Sequence, residues 1–112
     1  MRNMSFMLTT QQIKDESKDL TRRLGWWSLK PGDIVMACVK CQGLKKGEKI
    51  QKIKPIRIVS TRAENLNRIT PKDVKREGFP SFTVPDFIMM FCREMKCKHW
   101  DMVNRIEFEY VK

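Results

Sequence analysis

The segment Glu16–Asp33, ESKDLTRRLGWWSLKPGD, contains most of the residues of this chain that are candidates for binding or catalysis. Near its start, six residues contain a lysine, a threonine and two arginines: Lys18, Thr21, Arg22 and Arg23. Adjacent arginines supply planar hydrogen-bond donors for phosphate. A lysine three residues before a threonine can lower the effective basicity of the threonine hydroxyl, or it can hold a phosphate. The alternative interpretation is a solvated, basic helix end, because runs of charge usually serve solubility alone.

A tryptophan pair and a turn complete the segment. Trp26 and Trp27 offer faces on which a nucleic-acid base can stack. We expect at least one of them to lie in the core, because an indole ring buries a large area. The residues Lys30–Asp33 form a turn in which proline fixes φ at the second position and glycine accepts a positive φ at the third.

Size and charge limit the class of protein. The 112 residues fit one domain, 1–112, and 41% hydrophobic with 32% charged residues is typical of a folded chain. The net charge of +10 favours a polyanionic partner, of which RNA or DNA is the commonest. Lys45 and Lys46, in a loop bounded by Gly43 and Gly47, are further candidates for nucleic-acid contact.

The sequence indicates no membrane or export segment. No apolar run is long enough to span a bilayer, and Met1–Phe6 lacks the apolar region of a signal peptide. We therefore expect a cytoplasmic monomer that needs no cofactor.

The cysteines suggest thiols rather than a metal site. Cys38 and Cys41 are separated from Cys92, Cys97 and His99 by a gap of roughly fifty residues, and zinc fingers usually have much shorter gaps. Residues i and i+3 of a strand also point to opposite faces, so Cys38 and Cys41 would not converge on one ion. We expect reduced, mostly buried thiols and no metal.

The rest of the chain alternates strands and short helices. A short helix is predicted from Gln11 to about Lys18, a strand from Ile34 to about Cys41, and an alternating β region over Glu48–Arg62, bent near Pro55. A final strand is predicted over Arg105–Lys112.

Two further helices have clear start signals. A threonine followed closely by a proline occurs at Thr70 and again at Thr83, which is typical of a helix N-terminus. Hydrophobic residues at helical spacing in the second helix are expected to be core. They are Phe87, Met90, Phe91 and Met95. The elements together predict an α+β fold, a small, partly closed β-barrel with short helices at its ends.

Residues 16–23 resemble the G-x-K-x-x-E-x-R signature of ASCH domains, in the PUA-like superfamily. Lys18 falls on the motif lysine, Arg23 on the arginine, and Thr21 where many members have glutamate and some have threonine. The L-K-P-G-D turn, the E-G-F segment and the terminal I-E-F-E-Y strand follow in the family's order, so the resemblance covers nearly the whole chain. Glu16 replaces the motif glycine, which is expected to alter the turn that enters the pocket.

The resemblance implies a fold and a cleft. The fold is a PUA-like β-barrel of about five or six strands with flanking short helices. The cleft would bind RNA or a modified nucleoside and would be lined by Lys18, Thr21, Arg23 and Glu77. The threonine-bearing branch is similar to small bacterial amidohydrolases that remove the acetyl group from N4-acetylcytidine with a lysine, a threonine and a glutamate. Lys18, Thr21 and Glu77 match those three residues.

Two functions follow. In a binding module, Lys18, Arg22 and Arg23 would hold phosphates or a base edge while Trp26 or Trp27 stacks, and the +10 charge favours this alternative.

In an amidohydrolase, Thr21 would attack the acyl carbonyl with Lys18 as base or orienting cation. Glu77 would pass a proton to the leaving amine or position water for deacylation, and Arg23 or a backbone amide would stabilise the oxyanion. Without catalysis, Thr21 is an ordinary strand or cap threonine and Glu77 a helix-terminal carboxylate paired with a cation. A third possibility, a protein that recruits other chains, rests on family habit alone.

Overall fold

Five strands form one mixed sheet in the order β1-β3-β4-β5-β2, in a computed structural model that describes residues 1–112. β1 pairs in parallel with β3, and the other three pairings are antiparallel. The strands span Asn3–Ser5 (β1), Leu20–Arg23 (β2), Ile34–Cys38 (β3), Lys52–Asn65 (β4) and Met102–Tyr110 (β5). β4 and β5, the two longest strands, form the centre of the sheet.

Three α-helices and two single turns of 3-10 helix connect the strands. The 3-10 turns are Met7–Thr9 and Leu66–Arg68, and the helices are Thr10–Lys14 (α1), Pro71–Arg76 (α2) and Val84–Met95 (α3). The predicted start signals of α2 and α3 are used as expected, since the Thr70 and Thr83 side chains accept from the backbone N–H three residues on. α1 ends earlier than predicted, because the chain turns at Glu16.

The core lies on both faces of the sheet. Successive side chains of a strand point to opposite faces, so Val103 of β5 belongs to one apolar cluster while Ile106 and Phe108 belong to the other. The larger cluster packs β1, β3, β4 and β5 against α1. The smaller one lies under α2 and α3, where Phe87 and Phe91 are buried as predicted.

The predicted α+β class, with five strands and flanking short helices, is confirmed. The sheet is not closed into a barrel by backbone hydrogen bonds, since β1 and β2 are its two edges and do not pair. Both are short, and the chain leaves β1 after Ser5 into a 3-10 turn. One side chain crosses this gap: Arg23 Nη2 donates to the Ser5 carbonyl over 2.6 Å. We call the gap between β1 and β2 the seam.

Two further findings concern membrane spans and the cysteines. No helix has the length and apolar character needed to cross a membrane. All four cysteines are free thiols, with the Cys92 and Cys97 sulfurs 4.0 Å apart. No group of three or more histidine, cysteine, aspartate or glutamate side chains is placed to hold a metal ion.

Candidate functional site

A cavity of about 320 Å³ brings the motif residues together. Its polar side includes Lys18, Thr21 and Arg23 from the motif segment and Glu77 from the end of α2. The other polar lining residues are Ser5, Thr9, Arg22 and Glu94. Its apolar side comes from the 3-10 turn after β1 and from α3 with the segment before it. The apolar lining residues are Phe6, Met7, Leu8, Phe79, Phe87, Met90, Phe91 and Met95. All four residues expected to line a cleft therefore face one space.

The geometry of β2 explains which motif residues share a side. Thr21 and Arg23 are two residues apart on a strand, so their side chains project in the same direction. Arg23 Nε donates to Thr21 Oγ1 over 3.2 Å. Thr21 is only 4% exposed, and because its oxygen accepts from Arg23, its own proton remains free for a second partner.

Lys18 and Glu77 form a buried ion pair at the inner end of the cavity. Lys18 Nζ lies 3.1 Å from Glu77 Oε1 and donates to the Glu77 carbonyl over 2.6 Å, and each residue is 3% exposed. Burial lowers the pKa of Lys18, and Glu77 opposes that shift, while the nearby arginines reinforce it. A lysine with a lowered pKa is closer to the neutral amine that can accept a proton.

Arg22 occupies a different environment from its neighbour. Its side chain has no exposed surface, and its guanidinium lies 3.0 Å from Glu77 Oε2, 2.6 Å from Asp73 Oδ2 and 3.1 Å from Glu64 Oε2. Arg105 pairs with both oxygens of Asp73, at 2.9 and 3.1 Å. Arg22 was predicted to contact nucleic acid; in the structure it is among the residues that line the cavity, its guanidinium is engaged by three carboxylates, and its Nε has no partner. Its contacts instead hold Glu77 in place.

Arg23 is the cation that spans the seam. Besides its bonds to Thr21 and Ser5, its guanidinium lies 4.7 Å from the centroid of the Phe6 ring. Removal from water lowers its pKa to about 10, with the Glu77 charge acting in the opposite sense. Arg23 is therefore still protonated at neutral pH.

The remaining residues that were predicted to contact nucleic acid do not line the cavity; they are Trp26, Trp27, Lys45 and Lys46. Trp26 is partly buried and packs against the larger core cluster without belonging to its buried residues. Trp27 is 55% exposed, and Lys45 and Lys46 are exposed on the loop between β3 and β4. Any role of these three side chains in binding would be on the outer surface.

Glu16 adopts the backbone conformation that the motif glycine would favour. Its φ is 63°, in the left-handed region. Its carboxylate pairs with Lys54 at 2.8 Å and also with Lys112. The Tyr110 hydroxyl donates to the Lys18 carbonyl just beyond. The turn at Glu16 is therefore left-handed and is held by contacts from β4 and from the C-terminal residues.

Sequence reasoning missed two groups of residues. Phe87 and Phe91 belong to the core as predicted and also form part of the cavity wall, and Met90 and Met95 line the cavity as well, with Met95 41% exposed; helical spacing cannot separate a core position from a lining one. The ion partners of Arg22 come from distant parts of the chain, and only the alternation of β2 could have indicated that Arg22 points away from Thr21 and Arg23.

Comparisons with known proteins show the fold. No protein-family model and no curated protein match the sequence. A DUF984 protein from Enterococcus faecalis V583, EF3133, is similar in structure with a TM-score of 0.69 at 14% identity, over 98% of this chain and 79% of that one. The hypothetical protein PH0355 has a TM-score of 0.65 at 17% identity, over 98% of this chain and 96% of that one.

An ASCH domain from Lactobacillus crispatus JV V101 is also similar, with a TM-score of 0.60 at 15% identity, over 97% of this chain and 78% of that one. These three similarities extend along nearly the whole of this chain, as the resemblance in sequence did. At such low identity they describe architecture. The chain has an ASCH-like fold.

Proposed function

We propose that the cavity binds a nucleoside, either free or as a base of RNA. The observation that carries this proposal is the convergence of Lys18, Thr21, Arg23 and Glu77 on one cavity with an aromatic wall. Aromatic faces hold a base by stacking, and a few convergent polar groups fix its orientation.

Charge and fold support the same conclusion. A net charge of +10 attracts RNA at a distance, with an affinity that falls as salt rises. An ASCH-like fold is compatible with RNA binding. The exposed Trp27 and the lysine loop offer additional contacts to a longer strand outside the cavity.

Amide hydrolysis of an acylated nucleoside, such as N4-acetylcytidine, is the second candidate. The observation that favours it is a buried Lys18 with a lowered pKa, in the same cavity as a threonine hydroxyl whose proton is free. In this mechanism Thr21 Oγ attacks the acyl carbonyl and Lys18 takes its proton. The proton that Lys18 takes passes through Glu77 to the leaving amine, while Arg23 stabilises the negative charge on the carbonyl oxygen. The C–N bond then breaks, the nucleoside leaves, and the acyl group remains as an ester of Thr21. Water hydrolyses that ester, which releases the acid and returns the proton to Thr21.

One experiment tests both candidates. Purified protein is incubated with N4-acetylcytidine, cytidine and acetate are followed by chromatography, and binding of cytidine is measured by calorimetry. Thr21→Val keeps the shape of the side chain but removes the hydroxyl. The matched control is Thr61→Val, on β4 away from the cavity lining.

We expect cytidine to bind to the parent, to Thr21→Val within about fivefold, and to the control unchanged. Release of cytidine by the parent and the control, with at least a hundredfold loss in Thr21→Val, would establish hydrolysis. Binding without release by any form would leave a binding module. If neither binding nor release occurs, the proposed function is wrong.

A further inference from the structure

The charges behind the cavity balance without Arg23. Three buried or nearly buried cations face three carboxylates there, through the ion pairs described above. The cations are Lys18, Arg22 and Arg105, and the carboxylates are Glu64, Asp73 and Glu77. Each of these carboxylates lies within 4 Å of at least one cation other than Arg23, and none makes an ion pair with Arg23, on which the Glu77 charge acts only from a longer distance.

Arg23 is that fourth cation, and it makes no ion pair. Its Nε donates to Thr21 Oγ1 and its Nη2 to the Ser5 carbonyl, which are both neutral acceptors. Its Nη1 makes no hydrogen bond within the protein, although the side chain lines the cavity. Arg23 is half-buried, so its Nη1 can be reached from the cavity, and an anion there would give this guanidinium the close opposite charge that no carboxylate of the protein provides.

A second donor lies beside it. The Thr21 hydroxyl accepts from Arg23 and can therefore donate its own proton to a group in the cavity. Two N–H groups on Nη1 and one O–H group thus converge from adjacent positions of the same strand face. Arginine in particular suits the oxygens of a phosphate, since its planar donors match their spacing.

We propose that Arg23 and Thr21 form a phosphate subsite, so that the ligand of this cavity is a nucleotide rather than an uncharged nucleoside. This inference rests on the proposed function and names its ligand class. The phosphate comes either from a mononucleotide or from an RNA chain, and both sources offer the same oxygens. In the competing interpretation, Arg23 only ties β2 to β1 across the seam and has no role in choosing the ligand.

The test compares ligands that differ by one phosphate. Binding of cytidine, cytidine 5′-monophosphate, cytidine 3′-monophosphate and a single-stranded RNA octamer is measured by calorimetry at two salt concentrations. The variant is Arg23→Gln, which loses the charge but can still donate to the Ser5 carbonyl. The matched control is Arg68→Gln, which lowers the net charge equally at an exposed position outside the cavity.

We expect at least one monophosphate or the RNA to bind to the parent about tenfold or more tightly than cytidine, which is the effect of one charge-assisted hydrogen bond. That gain should disappear in Arg23→Gln and persist in Arg68→Gln. If the octamer shows the larger Arg23-dependent gain in affinity over cytidine, the phosphate belongs to an RNA chain. If a monophosphate shows the larger gain, the ligand is a mononucleotide. Equal affinity for cytidine and all phosphate-bearing ligands would overturn the subsite and leave the proposed function standing.

A further measurement needs no variant and no nucleoside. The Nε–H resonance of Arg23 is followed by NMR while inorganic phosphate is added to the parent protein. A saturable shift at Arg23, without one at Arg68, supports the subsite even if no cytidine compound binds, in which case the proposed function alone fails. No saturable shift at Arg23, together with no gain from the phosphate esters, overturns the subsite.

Discussion

Replacing Asp73 with asparagine should remove a defined part of the acid sensitivity of this protein. The Asp73 side chain is 10% exposed and lies between Arg22 and Arg105, with three nitrogen–oxygen distances of 2.6 to 3.1 Å. It also belongs to the first turn of α2, where the Thr70 side chain accepts from its backbone N–H. Asparagine keeps that backbone bond and nearly the same shape, so the main change is the loss of the charge.

The magnitude follows from the pKa of this carboxyl group. Hydrogen bonds and charge from the two arginines outweigh the opposing effect of burial and lower the Asp73 pKa from 3.8 to about 2. At 1.36 kcal/mol per unit, this difference corresponds to about 2.5 kcal/mol. A carboxyl with a lowered pKa in the folded state stabilises that state above the pKa of the unfolded chain and loses this effect as pH falls. About 2 kcal/mol should therefore be lost between pH 5 and pH 2.

The assay is urea unfolding followed by circular dichroism at pH 7, 5, 3 and 2. At pH 7, Asp73→Asn should lower the unfolding free energy by roughly 3 kcal/mol, because two buried cations lose a partner. Between pH 5 and 2, the variant should lose about 2 kcal/mol less than the parent. Glu109→Gln, at a carboxylate whose side chain is 56% exposed, is the control and should change either value by less than about 0.5 kcal/mol. A parent and Asp73→Asn with parallel pH profiles would refute the reasoning.

Two more predictions concern the turns that flank the cavity. Gly78→Ala should lower the unfolding free energy by about 1–3 kcal/mol, because φ is 103° there and an added Cβ would lie 3.0 Å from Gln12 Cγ. An unchanged urea midpoint would contradict this. Glu16→Gly should change the unfolding free energy by less than about 1 kcal/mol. Glycine adopts a φ of 63° without the steric strain of a side chain, and this gain offsets the loss of two partly exposed ion pairs. It should also leave cytidine affinity, measured by calorimetry, within about twofold of the parent, and a tenfold loss would show that the Glu16 contacts position Lys18.

The motif residues could be placed from sequence because they depend on local geometry. Thr21 and Arg23 lie on one short strand, which fixes their relative directions without help from the rest of the chain, whereas Lys18 precedes that strand and is held by Glu77. The start signals at Thr70 and Thr83 are local as well, because a cap needs only the residues of its own first turn. The α+β class followed from these local elements.

The role of Arg22 could not be placed in this way. Its three partners are 42 to 55 residues away in sequence, so their proximity depends on how β4 and α2 pack behind β2. The net charge counts Arg22 and Arg23 alike, yet Arg22 pairs with three carboxylates and Arg23 makes no ion pair, although both line the cavity. Closure of the barrel was equally beyond local reasoning, because it depends on whether two short edge strands meet.

The seam has a consequence for how the molecule opens. β1 and β2 are joined across it by one side chain rather than by a ladder of backbone bonds. Edge strands of a sheet generally exchange their amide hydrogens faster than central ones, since fewer bonds must break for solvent to reach them. Any ligand that binds to Arg23 adds contacts at the seam. Hydrogen exchange in Asn3–Ser5 and Leu20–Arg23 should therefore slow when the cavity is filled, while exchange in the centre of β4 and β5 stays the same.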